Sequence, residues 1–287
     1  MMRRHLEICV ISDIHLGSKG ADAIGLLNYL KSIQPRILIL NGDVIDFWYL
    51  KTKKFPRVHW LVIQEILELA AQGVDVYYLT GNHDDVLRKI VPFDWGGVKV
   101  LNKLFLQIGK HRAWFFHGDI YDKSITHSKW MSMLAGKMYD NLILLNRRLN
   151  KVLLKNNLKP SYFSKNLKRR VKRAVQKVSN FETFAINQAI KMKVDFVACG
   201  HIHIPQIRFV QTEKGSTTYL NSGDWVESST ALEYANQVWS LYHHDPTTNF
   251  LKLEDYGIDL ATLTQDVEDI EETFLIVDPF VKTKGNE

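Results

Sequence analysis

Tyr77-Tyr78-Leu79-Thr80-Gly81-Asn82-His83-Asp84 is an apolar run that stops at a glycine and at once delivers three metal- and proton-competent side chains. With Val74 and Val76 ahead of it, the stretch reads as a buried strand whose C-terminal end carries chemistry. Four more segments repeat the layout. Ile8 to Ile11 leads into Asp13-Ile14-His15, and Ile37 to Leu40 into Gly42-Asp43. Trp114 to Phe116 leads into His117-Gly118-Asp119, and Phe196 to Cys199 into Gly200-His201-Ile202-His203. Five such strand ends are expected to converge on two metal ions.

Outward from that stretch, the first third of the chain alternates strand and helix. Leu6 to Ser12 reads as a strand, Asp22 to Ile33 as a short helix ended by Pro35, and Ile37 to Leu40 as the second strand. Val58 to Ala71 has helical apolar spacing (Trp60, Leu61, Ile63, Ile66, Leu67, Leu69) and closes at Gly73, before the strand Val74 to Leu79. This alternation predicts an α/β fold. Short strands are expected around Val98 to Val100, Leu104 to Ile108 and Arg112 to Phe116. The pattern returns at Val194, with short antiparallel strands near Ile207, Thr218, Val238 and Leu251.

Between these blocks, residues 126–191 carry no strand pattern and read as a helical cap insertion in a body spanning 1–258. One helix is expected over Ser128 to Leu154, a second after Pro160 with Phe163, Leu167, Val171, Val175 and Val178 on one stripe, and a third from near Phe181. From Asn141 to Phe181 there is no Asp or Glu, while Lys and Arg are frequent; the tail, 259–287, begins acidic. Against a net charge of only +6, this asymmetry points to a polyanionic substrate, an anionic membrane surface or nucleic acid. As a solvated hairpin, the insertion would need its lysines only for solubility. As a cap, its apolar faces (Trp130, Met133, Leu134, Leu142, Leu145) suit acyl chains, and Lys165, Lys168 and Arg169 suit a diphosphate.

The only cysteines, Cys9 and Cys199, fall in predicted buried strands, which suits reduced core thiols in a reducing cytosol. The N-terminus enters a strand without the apolar segment of a signal peptide, and no apolar run approaches the ~18 residues that span a bilayer.

Asp13 and His15 are two apart, as are His201 and His203, and side chains at i and i+2 of an extended strand end point the same way. Alone, Asp-x-His or Gly-Asp reads as a turn, and a His before Gly as a satisfied core imidazole. The five motifs in this order read as a metal site. Carboxylates, imidazoles and an amide together suit Mn²⁺, Fe or Zn²⁺ better than Ca²⁺ or Mg²⁺. Two ions ~3.5–4 Å apart lower the pKa of a bridging water and neutralise charge developing on a phosphate. Asp43 is the natural bridging carboxylate. His5, His59, His111, His127, His243 and His244 belong to no motif and are expected at the surface or in loops.

Asp13-x-His15, Gly42-Asp43, Gly81-Asn82-His83-Asp84, His117 and Gly200-His201-x-His203 together resemble the signature of the calcineurin-like metallophosphoesterases. The resemblance implies a four-layer α/β sandwich of two mixed sheets flanked by helices. It implies one ion held by Asp13, His15, Asp43 and His203, and a second by Asp43, Asn82, His117 and His201. It places His83 beside the scissile phosphate as general acid or transition-state stabiliser, with Asp84 orienting it.

Within that superfamily, Gly42-Asp43-Val44-Ile45-Asp46-Phe47-Trp48, His117-Gly118-Asp119-x-Tyr121-Asp122 and Asn221-Ser222-Gly223-Asp224-Trp225-Val226-Glu227 resemble the UDP-2,3-diacylglucosamine pyrophosphatases of lipid A synthesis. That family has a branch with Arg where this chain has His83, and a second, His-containing branch that this chain resembles more. The implied reaction releases UMP and 2,3-diacylglucosamine 1-phosphate, with Asp122 among the substrate-binding candidates. The implied setting is the cytoplasm, peripheral on the inner membrane. A phosphoesterase of nucleotides or nucleic acid is the alternative. Its basic run from Arg147 to Lys177 would then be a groove, but only Tyr162 and Phe163 offer stacking surfaces there. A non-catalytic scaffold would be expected to lose ligands, and all seven positions are filled. No protein partner is indicated.

Overall fold

The structure, a computed structural model, describes residues 3–50, 55–121, 181–248, 251 and 256. The chain divides into two units, Met1–Asn249 and Phe250–Glu287, and the sheets and helices of the described residues belong to the first.

The elements run β1 (Arg4–Ile11), α1 (Ala23–Ser32), β2 (Ile33–Asn41), a short α2 (Phe47–Leu50), α3 (Arg57–Ala71), β3 (Asp75–Leu79), β4 (Phe93–Trp95), β5 (Val98–Leu101), β6 (Lys103–Ile108) and β7 (His111–Phe116). After the undescribed stretch come α4 (Phe181–Lys191), β8 (Phe196–Cys199), β9 (Gln206–Thr212), β10 (Gly215–Asn221), β11 (Thr230–Ala235) and β12 (Val238–His243). One sheet has seven strands in the order β12-β11-β1-β2-β3-β5-β4, the other five in the order β6-β7-β8-β10-β9. Both are mixed. β1, β2, β3 and β5 are mutually parallel, as are β7, β8 and β10, with antiparallel strands outside them.

The sheets face each other over one core. Ile8 and Val10 of β1 and Ile37 and Ile39 of β2 pack with Phe115, Ala198 and Leu220 of the second sheet. Their alternates Cys9, Leu38 and Leu40 are equally buried. Strands covered on both faces are apolar at every position, which is why they stand out as unbroken runs. α4 lays Phe181, Ala185, Ile186, Ala189 and Ile190 on the outer face of the second sheet, against Trp114, Val197 and Tyr219. With α1 and α3 beside β2 and β3 of the first sheet, the fold is a four-layer α/β sandwich. The stretch 181–191, grouped with the insertion on sequence grounds, thus forms an outer layer of the body. The rest of the expected insertion and the 259–287 tail lie outside the described residues.

Several details differ from expectation. α1 ends at Ser32, where Ile33 turns extended, and Pro35 sits inside β2 opposite Leu6 rather than terminating a helix. β3 joins β2 only from Ile37, so Pro35 lies where β2 has a neighbour on one side. β10, around Thr218, is antiparallel to β9 but parallel to β8. Leu251 is not in a strand. On α3 the buried stripe is Val58, Val62, Ile66 and Leu69, with Trp60 56% exposed. His59, expected at the surface, is buried on that helix, and its Nδ1 accepts the Gly17 N–H at 2.7 Å. Cys9 and Cys199 are free and buried. Among the described residues, no helix is long and apolar enough to cross a membrane.

Candidate metal centre

Each candidate ligand leaves the C-terminal end of a strand. Because β1, β2 and β3 are parallel, and β7 and β8 likewise, their ends open on shared edges of the two sheets. The backbone crosses over there: Asp13 N–H donates to the Gly42 carbonyl at 3.0 Å, His15 N–H to Asp43 at 2.9 Å, and Gly200 N–H to His117 at 3.0 Å. Asp13, His15, Asp43, His201 and His203 all adopt positive φ, between 53° and 67°. Left-handed backbone is uncommon for non-glycine residues and persists where the surroundings over-determine it. Here it turns the strand ends inward. Glycines provide the clearance. A Cβ on Gly42 would run into the His117 ring, and one on Gly81 into the Asp43 carboxylate.

Among the described residues, three groups of ligand atoms gather within 4.8 Å of one another: Asp13 with His15 and His203, His15 with Asp43 and His83, and Asp13 with Asp43 and His117. Asp13, His15 and Asp43 are each common to two of them, and Asp43 is the carboxylate that meets three different imidazoles. Its Oδ2 lies 3.3 Å from His117 Nε2, 3.9 Å from His83 Nε2 and 4.0 Å from His15 Nε2. His203 Nε2 lies 3.0 Å from Asp13 Oδ1. His201 stands at the margin, in none of these groups. Its ring centroid is 5.3 Å from that of His117, and its backbone N–H bonds the Asp13 carboxylate.

The fit to cations rests on atoms left without partners. Among the described residues, His15 Nε2, Asn82 Oδ1 and His117 Nε2 are buried and make no hydrogen bond. His117 Nδ1 lies 3.0 Å from the Asn41 carbonyl, which can only accept, so Nδ1 carries the proton. That leaves the Nε2 lone pair facing Asp43 oxygen, an arrangement that requires a proton or a metal cation between them. The charges agree. Burial opposes ionisation of Asp13 and Asp43, yet neighbouring imidazoles override it, His203 bringing Asp13 down to about 2 and His117 and His83 holding Asp43 well below the carboxylate range. Burial likewise opposes charge on His117, and Asp43 outweighs it to push the imidazole well above its usual pKa. Protons stand on these rings where divalent cations fit.

His83 is fixed differently. Its backbone N–H donates to Asp43 Oδ1 at 2.8 Å, and Trp48 lies against its ring at a centroid distance of 4.1 Å. Asp84, expected to orient His83, holds the loop instead. Its carboxylate accepts from Val44 N–H at 3.0 Å, Tyr78 O–H at 2.7 Å and the Gly81 N–H. The carboxylate beside the imidazole is Asp46, whose Oδ2 is 3.1 Å from His83 Nδ1 in an ion pair not well aligned as a hydrogen bond, and 3.8 Å from His15 Nδ1. Burial works against a charged His83, but Asp43 and Asp46 override it and raise its pKa to about 9.

Asp46 was missed as a site residue although it lies three positions after Asp43. The other omission is Asp224, fully buried, with Oδ2 3.7 Å from His203 Nδ1. Both belong to motifs visible in the sequence. What marks them is that each faces the far nitrogen of a histidine, which spacing does not reveal. Asp122, Lys165, Lys168 and Arg169 lie outside the described residues.

An α/β sandwich with a buried carboxylate–imidazole cluster at its strand ends defines a class, the two-metal phosphoesterases. Residues 6–205 match the family model described as calcineurin-like phosphoesterase. The chain belongs to that family, and with it is a metal-dependent hydrolase. It is 25% identical over 248 residues to UDP-2,3-diacylglucosamine hydrolase of Vibrio cholerae serotype O1, covering 82% of this chain and 97% of that one. It is 23% identical over 259 residues to the protein of the same name from Aliivibrio fischeri, covering 83% and 98%. Among solved structures, a predicted phosphoesterase from Streptococcus pneumoniae aligns over 82% of this chain and 96% of that one, at 12% identity and a TM-score of 0.31.

Proposed function

We propose that this enzyme hydrolyses the pyrophosphate of UDP-2,3-diacylglucosamine, releasing UMP and 2,3-diacylglucosamine 1-phosphate in lipid A synthesis. The observation that carries the substrate is the end-to-end similarity to UDP-2,3-diacylglucosamine hydrolases, which spans 97% of the Vibrio cholerae protein. The chain's own residues supply the parts for this chemistry. Asp13, His15, Asp43 and His203 would hold one ion, and Asp43, Asn82, His117 and His201 the other, the donor set suiting Mn²⁺, which we take as the working metal, as well as Fe or Zn²⁺. Once bound, two divalent ions lower the pKa of water and offset charge on the phosphate. In the metal-free chain Asp43 and Asp46 raise the His83 pKa to about 9, and as an imidazolium its Nε2 would donate a proton to a phosphate oxygen or stabilise its charge. The Trp48 ring confines that imidazole to one orientation. The insertion would take the acyl chains on its apolar faces and the diphosphate on Lys165, Lys168 and Arg169, with Asp122, ahead of the insertion, a further substrate contact and the enzyme in the cytoplasm against the anionic inner membrane.

The deciding experiment is turnover of purified protein, with Mn²⁺ and mild detergent, on UDP-2,3-diacylglucosamine and on bis(p-nitrophenyl) phosphate. Fast UMP release with poor activity on the generic ester is the expected result. Activity on the generic ester alone would overturn the lipid substrate and leave nucleotides and nucleic acids next in line.

A further inference from the structure

Beside the metal centre sits an ion pair, Arg88 with Asp119 of the His117-Gly118-Asp119 motif, to which no catalytic or ligand role has been given. Arg88 lies in the single 3-10 turn Asp85–Lys89 that follows Gly81 to Asp84. Its guanidinium meets Asp119 in a parallel two-point contact, Nη1 to Oδ2 and Nη2 to Oδ1, each 2.7 Å. Nη2 also donates to the Thr80 carbonyl at 3.0 Å, and Nε to Thr80 Oγ1 at 3.2 Å. Thr80 Oγ1 in turn donates to Asn102 Oδ1 at 2.8 Å. The fork is thus occupied by protein acceptors, and a phosphate would have to displace them. That argues for a role in position rather than in anion binding.

The two sides of the pair belong to different sheets. Thr80 directly follows β3 of the seven-stranded sheet and is followed by Gly81 and Asn82. Asp119 lies two residues beyond His117, at the end of β7 in the five-stranded sheet. Between these strand ends is a cavity of about 270 Å³ lined by Thr80, Arg88, Asn102, His117 and Asp119. Phe116 and Ile120 also line it, and the ionic contact spans it from one side to the other. Asn82 and His117 are both assigned to one ion, and each must present a single atom to it.

We propose that Arg88 and Asp119 are a positioning pair that sets the separation of Asn82 from His117, and through it the affinity of the second metal ion. The proposal rests on the two-ion reading but not on the lipid substrate. Groups that orient metal ligands typically alter metal affinity by about 10–100-fold when removed.

The test is Mn²⁺ titration of metal-free protein, following bound metal per chain and the electron paramagnetic resonance signal, with thermal unfolding alongside. Wild-type protein is expected to bind two ions and show a spin-coupled signal. Arg88→Ala should bind the first ion as before and the second about 10–100-fold more weakly, so that the uncoupled signal persists to higher Mn²⁺. If Arg88→Ala does not fold, Arg88→Lys, which keeps the charge but not the parallel contact, serves instead. The double variant Arg88→Ala/Asp119→Ala should lose no more affinity than Arg88→Ala alone, because the two act as a unit. Both ions binding with wild-type affinity in the single variant would overturn the proposal, and so would equal weakening of both. A wild-type protein that never shows a coupled pair would overturn the two-ion reading itself, which is a different result.

Discussion

Two kinds of buried polar arrangement, one beside the helices α1 and α3 and one at the strand ends, are built in opposite ways. On the α1 side, Glu233 receives Arg4 in a two-point contact at 2.8 and 2.9 Å and the Tyr29 hydroxyl at 3.0 Å, while Tyr29 touches Cys9 Sγ at 3.2 Å. Glu65 on α3 is matched in the same manner by Arg3 at 2.9 Å and Lys31 at 2.7 Å. At the strand ends, the carboxylates of Asp13 and Asp43 instead face imidazoles, several with an orphaned nitrogen, on backbone held at positive φ. The first arrangement is complete within the protein. The second is complete only with cations. Buried polar groups lacking partners are costly, and native chains keep them where something binds.

The contrast predicts unequal responses to mutation. Asp43→Ala removes a carboxylate common to two of the ligand groups and close to three imidazoles. The expected outcome is loss of most bound metal and activity at background, measured by elemental analysis and phosphodiester turnover. Retention of two ions with activity would sink the assignment. His83→Ala should retain the metal yet lower kcat by roughly 10²–10⁴-fold, the range typical of a general acid. An unchanged rate would remove His83 from the mechanism.

Legibility followed the same division. β1, β2, β3 and β8 were readable because both faces are covered, leaving uninterrupted apolar runs. β11 was missed because Thr-Ala-Leu-Glu-Tyr-Ala contains two alanines and a glutamate, a composition that favours helix. Glu233 is tolerable in a strand only because Arg4, 229 residues away, covers it. β4 was missed because three residues carry no period. The ligand residues were readable because glycines and apolar strands bracket them. Asp46 and Asp224 were not, since their roles lie in which ring nitrogen they face. That is a product of the folded loops and not of spacing.

His59 sharpens the comparison as a buried imidazole that belongs to neither network. Desolvation lowers its pKa to about 4, and the Gly17 N–H donating to Nδ1 requires that nitrogen unprotonated. Between about pH 6.5 and pH 4 the unfolded chain protonates this ring and the folded chain does not, so stability falls as pH falls through that window. The full loss is about 3 kcal/mol, none of it felt above the unfolded pKa. Denaturant unfolding of metal-free wild type and His59→Gln across pH 4–7 would measure it, and an identical pH slope in the two proteins would remove His59 as the cause.

Glu233→Gln probes the completed network. The substitution keeps the shape and one acceptor but removes the charge that Arg4 and Tyr29 address. A fully buried pair would cost several kcal/mol to break. Here the Arg4 side chain is 48% exposed and can turn to water, so the expected destabilisation is only about 1–3 kcal/mol. Because Glu233 sits in β11 beside β1 and contacts no candidate ligand, Mn²⁺ binding and kcat should be unchanged at temperatures where the variant is folded. Asp43→Ala should show the converse in metal binding, losing the ions that Glu233→Gln retains. If Glu233→Gln lowered metal affinity as well, β1 would be transmitting strain from one network to Asp13, and the two could no longer be treated as independent.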